Sequence, residues 1–207
     1  MFMPAPRGLR DPAAVNRRLQ MLDEKQELQR LRRWAYEVQK KKGLVPFFDP
    51  ADAGVDAQVL VLLEAPGPMT NTSSIRPGSG FISIDNDDQT AANCWHARQR
   101  AGLGSDVTLH WNIVPWYLGP ARRKPNRHEL AEGAQRLREL VGLLKCLKVV
   151  ITCGRYAQRG WNNHLNDLDY KVLPTWHPSP LALRGPERRE HFLKTFVQAA
   201  ELVRPIS

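Results

Sequence analysis

The chain has 207 residues, of which 42% are hydrophobic and 25% are charged, and lysine plus arginine outnumber aspartate plus glutamate by 30 to 21. This composition is that of one ordinary folded domain and excludes a disordered chain, and no apolar run approaches the roughly 20 residues of a membrane-spanning helix. The formal charge of +9 makes a polyanion such as nucleic acid the first candidate partner, although a charge that serves only solubility is equally consistent with it. Because no apolar run is long enough to span a membrane, we expect no membrane as a partner. We expect a cytoplasmic location, because the first residues lack the apolar segment of a secretory signal.

The N-terminal part has the apolar spacing of an amphipathic helix. Apolar residues recur at steps of three and four from residue 11 to residue 42, which predicts one helix, or two with a break near Glu24. The opposite face carries basic residues, among them Arg18, that we expect to be solvated, with contact to phosphate groups as the alternative. We expect residues 1–50 to form a basic helical extension and connector, and residues 51–207 to form an α/β domain.

Four short apolar runs are typical of strands that are buried on both faces of a parallel sheet. They cover residues 57–63, 107–114, 147–153 and 170–176. Helical patterns alternate with them at residues 90–101, 128–145 and 186–203, and a less regular one covers residues 155–165. This alternation predicts a three-layer α/β/α sandwich with a central four-stranded parallel sheet and right-handed crossovers.

Polar residues follow the first and the last of these runs, at the sheet edge where parallel α/β proteins bind their ligands. Glu64 comes directly after the first run, and Pro66 and Gly67 behind it fit a rigid turn that directs the carboxylate into the crevice. The alternative is that Glu64 only caps a turn. His177 lies in a proline-flanked loop after the last run. It is a candidate donor to an oxygen that gains negative charge, or else a structural hydrogen-bonding residue.

Two further residues are candidates for binding a ligand. Asn112 interrupts the second apolar run, where a buried amide must find hydrogen-bond partners, either on a nucleobase edge or in neighbouring loops. Phe81 is a candidate either for the core or for stacking on a base. Cys94-x-His96 lacks further ligands at metal spacing, and no phosphate-binding glycine loop is present. We therefore expect no metal and no other cofactor.

Together these loops resemble the uracil-DNA glycosylase superfamily, over about residues 57–203. Glu-Ala-Pro-Gly at residues 64–67 is similar to the Gly-Glu-Ala-Pro-Gly motif of the superfamily's thermophile-type branch, with leucine in place of the first glycine. Asn-Ile-Val-Pro-Trp at residues 112–116 is similar to that branch's Asn-Val-Val segment, and Gly-Phe at residues 80–81 matches the place of its base-stacking residue. His-Pro-Ser-Pro-Leu at residues 177–181 is similar to the family's His-Pro-Ser motif.

The resemblance implies a uracil-DNA glycosylase-like fold and a monofunctional DNA N-glycosylase that flips uracil or another altered base out of DNA and leaves an abasic site. It implies that Phe81 stacks on the base and that Asn112 reads its edge. It further implies that His177 stabilises the base anion and that Glu64 offsets the charge of the sugar cation or positions the attacking water. It implies that Leu181, with Leu183, fills the hole in the duplex. Substrate contacts are also implied for Ala65, Pro66, Gly67 and Ser179, and contacts to the DNA backbone for Arg122, Arg123, Lys124 and Arg184.

Two features depart from the family pattern. The thermophile-type branch holds an iron–sulfur cluster on four cysteines, some of them ahead of its first motif, whereas the first cysteine here is Cys94, so we expect no cluster. The segment of residues 82–90 is acidic. Asp85 is a candidate for activating or holding the water, whereas Asp87 and Asp88 are predicted to cap the helix that follows.

Three alternatives to a uracil glycosylase stay open at this point. The acidic segment favours a glycosylase specific for a modified pyrimidine, for example in phage DNA, that acts in defence. A DNA-binding module that kept the fold and lost catalysis is the second alternative. A plain structural protein is the third, and it leaves the loop motifs unexplained. We expect a monomer in each case.

Overall fold

The computed structural model describes residues 3–73, 77–119, 121 and 123–204. Its helices are α1 (Pro12–Glu24), α2 (Gln29–Lys42), α3 (Gln89–Ala101), α4 (Arg127–Val141), α5 (Arg155–His164) and α6 (Pro186–Val203). Its strands are β1 (Phe47–Phe48), β2 (Val59–Leu63), β3 (Phe81–Ile82), β4 (Thr108–Asn112), β5 (Val149–Cys153) and β6 (Lys171–Thr175). In the part of the chain that these ranges cover, no helix has both the length and the apolar content that a membrane span requires.

The central sheet contains four parallel strands in the order β4-β2-β5-β6. Neighbouring strands end together, because Leu63 lies opposite Asn112 and Cys153 lies opposite Thr175. Helices α2, α4 and α5 share a hydrophobic cluster with one face of the sheet, and α3 and α6 share a second cluster with the other face. The predicted three-layer sandwich is confirmed. The short parallel pair β1 and β3 is an addition that the sequence pattern did not predict.

The inner strands read as continuous apolar runs because both of their faces are buried. In β2, Leu60 and Leu62 contribute to one hydrophobic cluster, whereas Val59 and Val61 contribute to the other. A strand with one solvated face would alternate between apolar and polar residues instead. The continuous apolar run is therefore a consequence of the helices that cover both faces of the sheet.

The helices begin and end close to their predicted positions. Helix α6 has the predicted bounds, and a 3₁₀ turn at Gln26–Leu28 separates α1 from α2 near the predicted break. Helix α4 ends earlier than predicted, because the chain leaves the helix at Gly142 and the backbone N–H of Lys145 donates to the carbonyl of Val55 at 2.9 Å. Helix α5 is regular although its sequence pattern is weak.

The two N-terminal helices pack directly on the core. Trp34 of α2 meets Trp111 of β4 edge to face, with 5.8 Å between the ring centroids. Arg18 of α1 is only 4% exposed and forms ion pairs with Asp49 and Asp85. The prediction of a solvated face was wrong at this residue, because a guanidinium is buried only where charged partners compensate it.

The loop after β5 requires a glycine. Gly154 has a φ of +83°, and a Cβ at this position would lie 2.7 Å from the Cβ of His177. A side chain is therefore excluded both by the backbone conformation and by the neighbouring loop. Gly154 lets the loops that follow β5 and β6 lie against each other.

Gly154→Ala is expected to lower the free energy of unfolding by about 2 kcal/mol or more, because backbone strain adds to the overlap with His177. Urea denaturation measures the loss. Gly102→Ala is the matched control, since Gly102 has a φ of +66° but nothing within 4 Å of an added Cβ. The control is expected to lose only about 1 kcal/mol. Equal losses would contradict the close approach of the two loops.

Candidate active site

The carboxyl ends of β2, β4 and β6 border a cavity of about 480 Å³. This volume is within the range of sites that bind small molecules. Glu64 follows β2, Asn112 ends β4 and His177 follows β6, and all three line the cavity. The parallel register thus brings side chains from three distant parts of the chain to one place.

The turn after β2 forms one side of the cavity. The predicted substrate-binding residues Ala65, Pro66 and Gly67 line it. The backbone N–H of Val114 donates to the carbonyl of Glu64 at 3.0 Å, so the pairing of β2 with β4 continues beyond the strand ends. This bond fixes the backbone from which the Glu64 side chain extends.

The carboxylate of Glu64 forms an ion pair at the cavity. It accepts hydrogen bonds from Nζ of Lys124 at 2.9 and 3.1 Å. Lys124 also lines the cavity. The residue that was predicted to contact a DNA phosphate therefore lies beside the candidate catalytic acid, and Glu64 pairs with a cation instead of capping a turn.

The orientation of the His177 ring is set by its own loop. The backbone N–H of Ser179 donates to Nδ1 of His177 at 3.1 Å. Because Nδ1 accepts this bond, the neutral ring carries its proton on Nε2 and can donate it in a hydrogen bond. Ser179 was predicted to contact substrate, but it does not itself line the cavity. Its hydroxyl accepts from the N–H of Ala182 at 3.4 Å and so stabilises the loop.

The surroundings of His177 keep its ring neutral. Burial lowers the pKa of His177 to about 4, and the positive charge of Lys124 lowers it as well. At neutral pH the ring therefore acts as an uncharged hydrogen-bond donor. Lys124 contacts Glu64 and at the same time disfavours the imidazolium form of His177.

Lys124→Met is expected to raise the pKa of His177 from about 4, because the variant loses the positive charge and keeps the burial. Nuclear magnetic resonance of the ring Cε1–H as a function of pH measures this value. Lys148→Met, which changes an exposed lysine just before β5, is expected to leave it unchanged. A wild-type pKa at or above the ordinary 6.5 would contradict the account of the ring.

Asn112 presents an amide to the cavity from the end of β4. It is 4% exposed, and the backbone N–H of the next residue, Ile113, donates to the carbonyl of Leu63 at 2.9 Å. A Cβ on Gly133 of α4 would lie 2.3 Å from the carbonyl oxygen of Ile113, so the helix packs closely on this strand end. The backbone that carries Asn112 is thereby held from two sides.

Phe81 is part of the core. Its side chain is fully buried in the same hydrophobic cluster as Trp111 and does not line the cavity. Ile82 and Ile84 line the cavity beside it. Of the two roles left open for Phe81, its full burial and its absence from the cavity lining support packing in the core.

The three aspartates of the acidic segment have three different environments. Asp88 accepts a hydrogen bond from the N–H of Ala91 at 2.9 Å and is the N-cap of α3, so its predicted role is confirmed. Asp87 pairs with Arg10 at 3.5 Å and does not provide this cap. Asp85 is fully buried, does not line the cavity and accepts from Nη2 of Arg18 at 2.5 Å. This position does not fit the water-handling role considered for Asp85.

The loop that contains His177 exposes two large apolar side chains, one before and one after the histidine. Leu181 is 65% exposed and Trp176 is 42% exposed. Leu183, in contrast, is buried in the cluster that contains Phe192 of α6. Including Leu183 among the residues that enter the duplex was therefore wrong, because its side chain is needed for packing.

The residues that were predicted to contact the DNA backbone differ in their exposure and in their ion pairs. Arg184 is exposed, whereas Arg123 pairs with Glu129 through hydrogen bonds of 2.8 and 2.5 Å. Glu129 also forms a capping box with Asn126 at the start of α4, so this arginine stabilises a helix end. Arg122 lies outside the described residues.

A buried pair beside the cavity, His110 and Asp52, was not predicted from the sequence. His110 lines the cavity, and Asp52 accepts from its backbone N–H at 2.8 Å and lies 3.2 Å from its Nδ1. Burial raises the pKa of Asp52, and His110 opposes this shift. His110 lies two residues before Asn112 and so faces the same side of β4. That spacing was the available signal.

A family model described as "Uracil DNA glycosylase superfamily" matches residues 50–201. The chain belongs to this superfamily. Among curated proteins, none matches the chain. The matched region contains Glu64, Asn112 and His177, whereas α1, α2 and β1 lie before it. The N-terminal helices are therefore outside the part that the family model covers.

The four-cysteine cluster of the thermophile-type branch does not fit this chain. The sequence has three cysteines, of which Cys94 and Cys153 are buried and Cys146 is exposed. Burial raises the pKa of both buried thiols, whereas metal ligands are thiolates. Within the described ranges, no group of three or more His, Cys, Asp or Glu side chains is arranged to hold a metal ion.

Proposed function

We propose that the protein is a DNA N-glycosylase that binds a flipped uracil, or another altered base, in this cavity and hydrolyses its bond to the sugar. The proposal depends on the convergence of Glu64, Asn112 and a neutral His177 whose Nε2 carries the proton. Membership of the superfamily and the charge of +9 support DNA as the partner. We propose that it acts as a monomer in the cytoplasm.

The arrangement matches the charges that develop in the reaction. When the glycosidic bond breaks, its electron pair stays on the base and the sugar becomes positive. Nε2–H of His177 stabilises the negative charge that develops on a base oxygen, and Asn112 fixes the base by hydrogen bonds to its edge. The carboxylate of Glu64 stabilises the sugar cation and positions a water. The water oxygen bonds to the sugar carbon, and one proton passes through Glu64 to solvent or the base.

The exposed loop is suited to keep a base flipped out. An apolar side chain that enters the stack fills the space which the base has left. Leu181 has the exposure this requires, and the guanidinium of Arg188 lies 4.3 Å from the ring centre of Trp176 beside it. Nε of Arg189 donates to the carbonyl of Leu183 at 3.1 Å, which braces the loop. Arg184 is the exposed cation that we assign to phosphate.

An excision assay tests the proposal. It uses a panel of labelled oligonucleotides, each with one altered base, in single- or double-stranded form. Alkali cleaves the abasic product, so product formation is read directly. Glu64→Gln and His177→Ala are each expected to lower the single-turnover rate on the order of 100- to 1,000-fold, because each removes a charge or a donor that acts at the transition state.

Glu139→Gln is the matched control, since Glu139 lies on α4 and pairs with Arg136 away from the cavity. It is expected to keep the wild-type rate. Salt-sensitive binding of every oligonucleotide without any abasic product would contradict the proposal, and it would identify a DNA-binding module without catalysis.

A modified pyrimidine is the second candidate substrate, and the pair of His110 and Asp52 favours it. A second polar side chain on the same face of β4 as Asn112 offers one more hydrogen-bonding group to a base with an additional substituent. Excision of a modified pyrimidine from the panel, with uracil left intact, would establish this substrate and would favour an enzyme specialised for defence or repair. Excision of uracil would exclude it.

Leu181→Ala is expected to slow excision from double-stranded DNA on the order of tenfold, because the flipped base then returns to the stack. Excision from single-stranded DNA is expected to change little, since no hole in a duplex must be filled. Leu202→Ala, at the exposed C-terminal end of α6, is the matched control. Equal slowing on both substrates would exclude a role for Leu181 in the duplex.

A further inference from the structure

The segment of residues 83–88 forms one wall of the cavity. Every residue of this segment except Asp85 lines the cavity. Asp85 is fully buried, and it is held by residues 3–18, which we call the N-terminal arm. The arm lies outside residues 50–201, the region that the family model matches. A part of the chain outside the matched region therefore contacts the wall of the candidate active site.

Arg18 links the wall to the connector before β2. Its Nη2 lies 2.5 Å from Oδ2 of Asp85, and its Nε lies 3.3 Å from Oδ1 of Asp49. The hydroxyl of Ser83, which lines the cavity, donates to Asp49, and the backbone N–H of Asp85 donates to that hydroxyl at 3.0 Å. The guanidinium thus joins two buried carboxylates, and both are connected to the wall.

Other residues of the arm contact the same segment. The backbone N–H of Met3 donates to Oδ2 of Asp85 at 3.1 Å, and that of Leu9 donates to the carbonyl of Asp85 at 2.9 Å. Arg7 donates to the side chain of Gln89, the first residue of α3, at 2.6 Å. These bonds hold Asp85 and the residue that follows the wall, so the arm makes more than one ion pair here.

Without Arg18, the buried carboxylates of Asp49 and Asp85 would destabilise the fold. Burial, and next the negative charge of Asp49, raise the pKa of Asp85 to about 6, against the opposing effects of the Met3 backbone and Arg18. Removal of one member of a buried ion pair leaves a charge without compensation and is strongly destabilising. Loss of the guanidinium leaves Asp49 and Asp85 to repel each other beneath the wall.

We propose that the N-terminal arm fixes this wall of the cavity and that Arg18 is a positioning residue for base excision. This inference rests on the proposed function. Arg18 does not line the cavity and acts through Asp49 and Asp85, both of which are hydrogen-bonded to the cavity-lining Ser83. A wall that relaxes lets the bound base move relative to Glu64 and His177. A displacement of about 1 Å is enough to reduce a rate by about 100-fold.

Arg18→Met tests the proposal, because it keeps the apolar stem and removes the guanidinium. The single-turnover excision rate is expected to fall on the order of 10- to 100-fold. The Kd for DNA is expected to stay within about twofold, since phosphate contacts at the exposed surface determine it. Arg17→Met is the matched control: it removes the same charge from the adjacent, exposed position of α1 and is expected to change neither quantity.

Hydrogen–deuterium exchange provides a readout that does not need excision. In Arg18→Met, the amides of residues 81–88 are expected to exchange faster while those of β2 and β5 stay protected. If the wild-type protein excises no base, the proposed function fails, yet this measurement still tests whether the arm holds the wall. Unchanged exchange in residues 81–88 of the folded variant would overturn the inference.

A double variant separates positioning from folding. Arg18→Met with Asp85→Asn removes the guanidinium and the charge that it leaves behind, so thermal stability is expected to recover even if Arg18→Met alone does not fold. The excision rate is expected to stay low, because the link to the wall is still missing. Recovery of both stability and rate would overturn the inference and make Arg18 purely structural, as would an Arg18→Met protein with reduced stability but the wild-type rate per folded molecule.

Discussion

The parallel register of the central sheet is the constraint on which the site depends. With Leu63 opposite Asn112, and Cys153 opposite Thr175, the strands end at one level and the residues that follow them enter one crevice. The register is enforced because each inner strand is buried on both faces, and a slip by one residue would turn every side chain to the other face. Glu64 and His177 meet Asn112 at this edge as a consequence.

The electrostatics of the site centre on Lys124. Its ammonium group pairs with Glu64. Burial is the main cause that lowers the pKa of His177, and the charge of Lys124 lowers it further. The cavity therefore presents both a carboxylate and an uncharged hydrogen-bond donor. In the proposed reaction these two groups face a sugar that becomes positive and a base that becomes negative. The same cation thus acts on both groups, because it pairs with the carboxylate of Glu64 and favours the neutral form of His177.

The hydrophobic pattern of the sequence predicted the strands and helices, but it did not predict environments that depend on contacts between distant residues. The four strands of the central sheet and α6 follow from apolar runs and periodicity, and Glu64, Asn112 and His177 follow from their places at strand ends. The environments of Arg18 and Phe81 were not predictable in this way. Arg18 is buried only because two carboxylates far along the chain compensate it, and Phe81 is in the core because of how β3 pairs with β1. The division at residue 50 stays a prediction, although α2 shares its core with the sheet.

Mass spectrometry of what the protein releases from DNA tests the central claim most directly. Genomic DNA that contains uracil, and phage DNA that contains modified pyrimidines, would be incubated with the protein, and the small molecules and the DNA would be analysed together. The account predicts one free base, of intact mass, in amounts equal to the new abasic sites. DNA that is bound but releases no base, under conditions where His177 is neutral, would contradict it.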